Sequence, residues 1–199
     1  LLLADVRYFK SHLPEAFRGA LRSLSLAERS GETPELAAAY ASAHLATGII
    51  APLARRYQRR AMDLAHQINH LPTYAWVYQA QGIAAIDRAD WRRASAALNL
   101  ALVVAEPLGD QRRRAECHGM LALADLLQGN LQTAQERYAE LYAAAQVRGD
   151  LQVCAWGLIG QAECLLQQDA DSQALALLDV ANGLLAENLG STRAEEIWA

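Results

Sequence analysis

The chain has 199 residues, 53% of them hydrophobic and 20% charged, with a formal net charge of −4. That apolar share excludes a disordered chain, and the acidic balance gives no bulk attraction to nucleic acid or an anionic membrane. Ala and Leu dominate while aromatic residues make up only 7%, which is a composition of helix formers.

Residues 1–10 read as the end of a preceding helix. Their opening Leu1-Leu2-Leu3 meets Asp5 and Arg7 too soon for a signal-peptide core. A helix follows near 14–29. Four pairs come next, at 34–47 with 52–68, 73–88 with 91–107, 111–128 with 131–147, and 151–168 with 172–188. A truncated helix begins near 192. Each segment carries apolar residues at helical spacing, and none alternates with period two.

Long breaks separate the pairs: Ser30 to Pro34, Asn69 to Thr73, Leu108-Gly109-Asp110, Arg148-Gly149-Asp150 and Leu189-Gly190-Ser191. Glycine suits a left-handed residue after a helix, and the Asp, Thr or Ser that follows suits an N-cap. Pro34 fits a first helical position. Short breaks fall midway, at Gly48–Pro52, Arg88-Ala89-Asp90, Gly129-Asn130 and Asp169-Ala170-Asp171, with Asp90 and Asn130 as N-caps.

One alanine returns every forty residues: Ala54, Ala94, Ala134, Ala174. A second series, Ala27, Ala65, Ala105, Ala145 and Ala186, keeps nearly the same period. A fixed period in this range means a stacked repeat. Gly82, Ala122 and Ala162 precede three of the first-series alanines by twelve residues, so both helices of a pair offer a small residue where they cross closely. Seven residues after each first-series alanine stand Ala61, Ala101, Leu141 and Ala181. Leu141 breaks the rule and predicts a wider contact.

The stretch Gly82…Asp90-Trp91…Ala94…Leu98…Ala101 resembles a tetratricopeptide (TPR) repeat. Gly129-Asn130-Leu131…Ala134…Tyr138 and Ala162…Ala174…Leu178…Ala181 repeat the pattern. The forty-residue period is similar to the long repeats in the C-terminal regions of bacterial ATPase-linked adenylate or guanylate cyclases, related kinases, and MalT- or LuxR-type regulators. Ala155-Trp156-Gly157-Leu158 and Gln161-Ala162-Glu163 resemble the cyclase-associated group. The resemblance implies an all-α fold, a right-handed α-solenoid of antiparallel helix pairs with about four to five repeats, running over 1–199 as a single domain and a fragment of a larger protein. Asp125 departs from it, standing where the pattern is apolar or aromatic, and needs a polar partner.

Little in the chain points to chemistry. There is no Gly-Lys-Ser/Thr phosphate loop, Gly-x-Ser-x-Gly or His-Glu-x-x-His. His66 and His70 have metal-ligand spacing but lack a third ligand, and read as a polar helix end. Cys117 and His118 are adjacent and point in different directions. Cys117, Cys154 and Cys164 are an odd set without Cys-x-x-Cys spacing, which fits buried thiols in a reducing, cytoplasmic setting. Cys154 and Cys164 lie about 15 Å apart along one helix and cannot bridge. No apolar stretch reaches the roughly 20 residues of a membrane span. No catalytic residue, cofactor or metal ligand is expected, and the chain reads as non-enzymatic.

Arg55, Arg56, Arg59 and Arg60 form one basic flank and Arg112-Arg113-Arg114 another. No aromatic residues interleave them, so a solvated face is the reading and direct nucleic-acid contact is not expected. In TPR arrays the first helix of each pair lines the concave side. That register implies Leu36, Ala39 and Ala43; Trp76, Gln79, Ile83 and Asp87; Glu116, Gly119 and Leu123; and Trp156, Ile159 and Glu163. The two tryptophans either anchor a peptide or pack between repeats. The expected function is a protein-interaction module of a bacterial signalling or transcription-regulatory protein. It would bind a partner protein, a peptide or its own parent's other domains. The alternative is a metabolite sensor of a MalT-like regulator. An exposed helix end near Trp198 allows an end-to-end dimer of the fragment.

Overall fold

The computed structural model describes residues 13–190, and side-chain surroundings over 18–186. Those residues are all-helical. In chain order the helices are α1 (Leu13–Ala27), α2 (Pro34–Ala46), α3 (Ala51–Ile68), α4 (Leu71–Ile86) and α5 (Trp91–Ala105). After them come α6 (Gln111–Leu127), α7 (Leu131–Arg148), α8 (Leu151–Leu166) and α9 (Asp171–Gly190). The expected ends near 1–10 and beyond 192 lie outside the described residues. Several boundaries shift by one or two residues. The fourth helix starts at Leu71, two residues early, because Pro72 is tolerated in a first turn, where its N–H has no helical acceptor. The ninth helix is described through Gly190, so Leu189 and Gly190 of the expected break are helical.

The turns keep a beat of twenty residues. Asn69, Ala89, Gly109, Gly129, Gly149 and Asp169 all have positive φ, between 47° and 81°. At five of these turns the next residue's amide closes back on a carbonyl five residues earlier: Asp90 on Ala85, Asp110 on Ala105, Asn130 on Asp125, Asp150 on Ala145, Ala170 on Leu165. That is the Schellman closure, which satisfies carbonyls the helix end leaves open. The following residue then caps the next helix. Asp90, Asp110 and Asp150 accept from the amides of Arg93, Arg113 and Val153 at 3.2, 2.9 and 3.1 Å. Thr33 does the same for Leu36 at 3.3 Å. Asn130 holds the N-cap position but its side chain makes no capping bond.

Turns this short force antiparallel hairpins, and small residues set how closely the helices cross. Ala54, Ala94, Ala134 and Ala174 have no exposed surface. The second series is buried at Ala65, Ala105 and Ala145. It is half-buried at Ala27 and exposed at Ala186, which sits on the last described helix. A β-carbon on Gly82 would fall 2.5 Å from Leu98 Cγ, so the leucine occupies the space the glycine leaves. Leu98 is fully buried there, and Leu98→Ala would cost about 2–5 kcal/mol. At Leu141 the series carries a leucine in place of alanine. Its Cδ2 lies 3.6 Å from where a β-carbon on Gly119 would stand, so a glycine on one helix meets the leucine on the other.

The described chain divides into two compact units between Arg114 and Ala115, inside α6. In the first, α2 packs on α1, α3 and α4, and α4 packs on α3 and α5. Its core includes Leu24, Leu36, Tyr40, Leu64 and Val77. In the second, α8 lies against α7 and α9, around Leu126, Tyr138, Leu141, Val153 and Cys154.

Candidate binding surface

Trp76, Gln79, Ile83 and Asp87 follow one another at helical spacing on α4 and its C-cap. Trp76 is half-buried. Its Nε1–H donates to the carbonyl of Ala38 on α2 at 3.2 Å, which fixes the indole against the neighbouring helix. Over the ring stands the guanidinium of Arg113, 5.0 Å from the centroid. The same guanidinium donates to Gln79 Oε1. Gln79 is 3% exposed, so its amide faces inward and orients Arg113 rather than lining open solvent. Ile83 is half-buried and Asp87 exposed. Leu36, Ala39 and Ala43, placed on this surface by the repeat register, belong to the core instead.

Sequence reasoning missed Arg113, reading it as one of three basic residues in a run. The signal lay in Asp110. As the cap of α6, Asp110 binds the amide of Arg113 at 2.9 Å and its carboxylate lies 3.8 Å from Nε. The cap thereby locates the arginine in the first turn. A cation–π contact of this kind contributes about 0.5–2 kcal/mol, more as water is excluded.

In the second unit Trp156 is half-buried and packs against the cluster holding Tyr138 and Leu141, together with Leu123. Ile159 packs beside Ala155, Leu158 and Ala181. Glu116 is half-buried and Glu163 exposed. Burial pushes the Tyr138 phenol upward, and the charge of Glu163 adds to the effect.

The remaining candidates have structural partners. His66 sits on α3, its Nδ1 3.0 Å from the Tyr74 hydroxyl. His70 lies beyond the left-handed C-cap Asn69, its Nδ1 2.9 Å from Thr73 Oγ1. The two histidines therefore do not share one helix face. Among the described residues no group of three or more His, Cys, Asp and Glu is placed to hold a metal, and no helix is long and apolar enough to cross a membrane. Cys117 is buried while its neighbour His118 is exposed. Cys154 and Cys164 are buried free thiols, and burial raises both above the ordinary thiol value, which disfavours the reactive thiolate.

No family model matches the chain. It is similar to a protein of Mycobacterium bovis and to two of Mycobacterium tuberculosis, from strains CDC 1551 and H37Rv. All three carry the provisional name of HTH-type transcriptional regulator. Each is 28% identical over 146 residues, covering 73% of this chain and 17% of the relative. The matched segment is thus a small part of much longer proteins, which are named as regulators and not as enzymes.

Proposed function

We propose that the chain is a non-catalytic TPR-like α-solenoid module of a bacterial regulatory protein. It binds a partner protein, or another domain of its own parent, through the faces its first helices present. The observation that carries this reading is the Trp76–Gln79–Arg113 arrangement. A half-exposed indole is held on one edge by a backbone carbonyl and covered by an arginine that a buried amide orients. Tryptophan and arginine are the side chains in which interface energy concentrates. The twenty-residue turn beat supports the repeat architecture. The similarity to a small part of three much longer regulators supports a regulatory setting.

The test is titration calorimetry of the chain against the separately purified remaining domains of its parent. Trp76→Ala is expected to weaken that association by about ten-fold or more, and Trp156→Ala to weaken it in the same direction. Unchanged affinity in both variants would sink the assignment. If the parent's domains do not bind and a metabolite instead raises the melting temperature through mass action, the module is a small-molecule sensor.

A further inference from the structure

A second feature of the first unit lies apart from Trp76. Between α3 and α4 runs an open cleft of about 590 Å3. Arg55, Gln58, Arg59, Met62 and Asp63 line it from α3, and Gln81 from α4. Arg55 and Arg59 are one turn apart on the same side of the helix. Both are exposed, and neither forms an ion pair with any described residue. This is not true of the whole basic run. Arg60, on the other side of α3, pairs with Glu28 at 3.7 Å and stands over the Tyr40 ring at 5.5 Å.

Like charges one turn apart weaken a helix by a few tenths of a kcal/mol. Asp63, one turn beyond Arg59 on the same side, offsets this for Arg59, whereas no carboxylate stands one turn from Arg55. The Arg55 end of the cleft is therefore the part that an external acidic group complements. The other lining groups narrow its class. Asp63 offers acceptors, while Gln58 and Gln81 offer donors and acceptors. A peptide backbone presents both N–H and C=O and can use all three. A phosphodiester backbone presents acceptors only and offers Asp63 no donor. No aromatic side chain lines the cleft for bases to stack on. Apolar surface is present too. Met62 lines the cleft, as does Pro52 at the start of α3. Just before that helix Ile49 is 96% and Ile50 49% exposed.

We propose that this cleft docks an acidic peptide segment of a partner protein. Carboxylates of the segment meet Arg55 and Arg59, its backbone meets Asp63, Gln58 and Gln81, and its apolar side chains rest on Met62 and Ile50. The site does not depend on the Trp76 surface.

The test is fluorescence anisotropy of the full 199-residue chain with a short labelled peptide in which Glu and Leu alternate. Its Gln-for-Glu counterpart and a labelled DNA duplex complete the set. The Glu peptide is expected to bind, more weakly as salt rises, and the Gln peptide to bind at least about ten-fold less tightly. The double variant Arg55→Glu/Arg59→Glu should lose about ten-fold or more in affinity. The milder Arg55→Gln/Arg59→Gln should weaken binding in the same direction, both variants first being shown to melt like the parent chain. Arg92→Ala/Arg93→Ala on α5 should leave the affinity unchanged. No binding of the Glu peptide, equal binding of the Gln peptide, or indifference to the Arg55/Arg59 variants overturns the proposal. Tighter binding of the duplex, lost in those same variants, overturns it in favour of nucleic acid.

Discussion

Arg137 on α7 donates Nε–H to Asp125 Oδ2 on α6 across 2.7 Å, with the aspartate side chain only 19% exposed. The carboxylate is held by a charge-assisted bond from the facing helix. Removing one member leaves the other partly desolvated and unpaired. Arg137→Ala is expected to lower the unfolding free energy by about 1–2 kcal/mol in urea titration, allowing for the partial exposure of the pair. The double change Asp125→Leu/Arg137→Leu should recover most of that loss, since apolar replacement of both partners is often neutral. A double variant no better than Arg137→Ala would mean that the pair is not the source of the effect.

The left-handed beat makes two opposite forecasts from one geometry. Gly109 and Gly149 have nothing within 4 Å of where a β-carbon would stand, so only their backbone conformation resists substitution. Gly109→Ala and Gly149→Ala should each destabilise by about 1 kcal/mol. Ala89 and Asp169 occupy the same conformation with side chains, at φ of 54° and 58°. There Ala89→Gly and Asp169→Gly should stabilise by a few tenths to about 1 kcal/mol, the glycine's extra unfolded-state entropy taking back part of the gain. Thermal melting resolves both, since 1 kcal/mol moves a chain of this size by roughly 2–4 °C. Equal changes of the same sign at Gly109 and Ala89 would refute the shared turn geometry.

Much of this turn system was legible because the residues announce it. Gly109-Asp110 and Gly149-Asp150 pair the residue that tolerates positive φ with the residue that caps. Ala89 was not legible as left-handed, since alanine does not favour that conformation, and Asp169, whose type tolerates it, was read only as part of a short break. The closure onto Ala85 and Leu165 imposes it from outside. Asp125 was readable as needing a partner, but Arg137 could be named only once the helices were opposed. The Leu141 exception was visible, but the glycine that it meets, Gly119, lies on another helix and could not be named from local spacing. Trp76 was readable as a candidate anchor. Its cover by Arg113, 37 positions along the chain, and the burial of Gln79 depend on tertiary packing that local periodicity does not encode.

Glycines inside helices separate packing from propensity. A β-carbon on Gly157 would fall 2.8 Å from Tyr142 Cβ and 3.0 Å from the Tyr138 carbonyl oxygen, so α8 comes against the backbone of α7 there. Gly157→Ala should therefore destabilise by about 1–3 kcal/mol despite alanine's better helix propensity. Gly183 on α9 is exposed and has nothing within 4 Å, so Gly183→Ala should stabilise by about 0.5–1 kcal/mol. The same urea titration of both variants checks the contrast. A stabilising Gly157→Ala would show that the two helices can separate at no cost.

His44 contributes a pH dependence to the stability of the first unit. It is 1% exposed. Its Nδ1–H donates to the Ala54 carbonyl at 2.9 Å, and Nε2 has no partner among the described residues. Burial holds its pKa below the ordinary value of 6.5, with Arg88 adding to the depression, while the Ala54 bond and Asp87 oppose it. Between the folded and unfolded pKa the unfolded chain binds more protons, so stability rises with pH across that window. The contribution is fully present above about pH 6.5. It is lost progressively as the pH falls below that value. Denaturation midpoints measured at a series of pH values from about 7.5 down to about 5 should decline for the parent chain. They should decline less for His44→Gln, which keeps a donor for Ala54 but cannot titrate. Parallel declines in the two proteins would remove His44 as the cause.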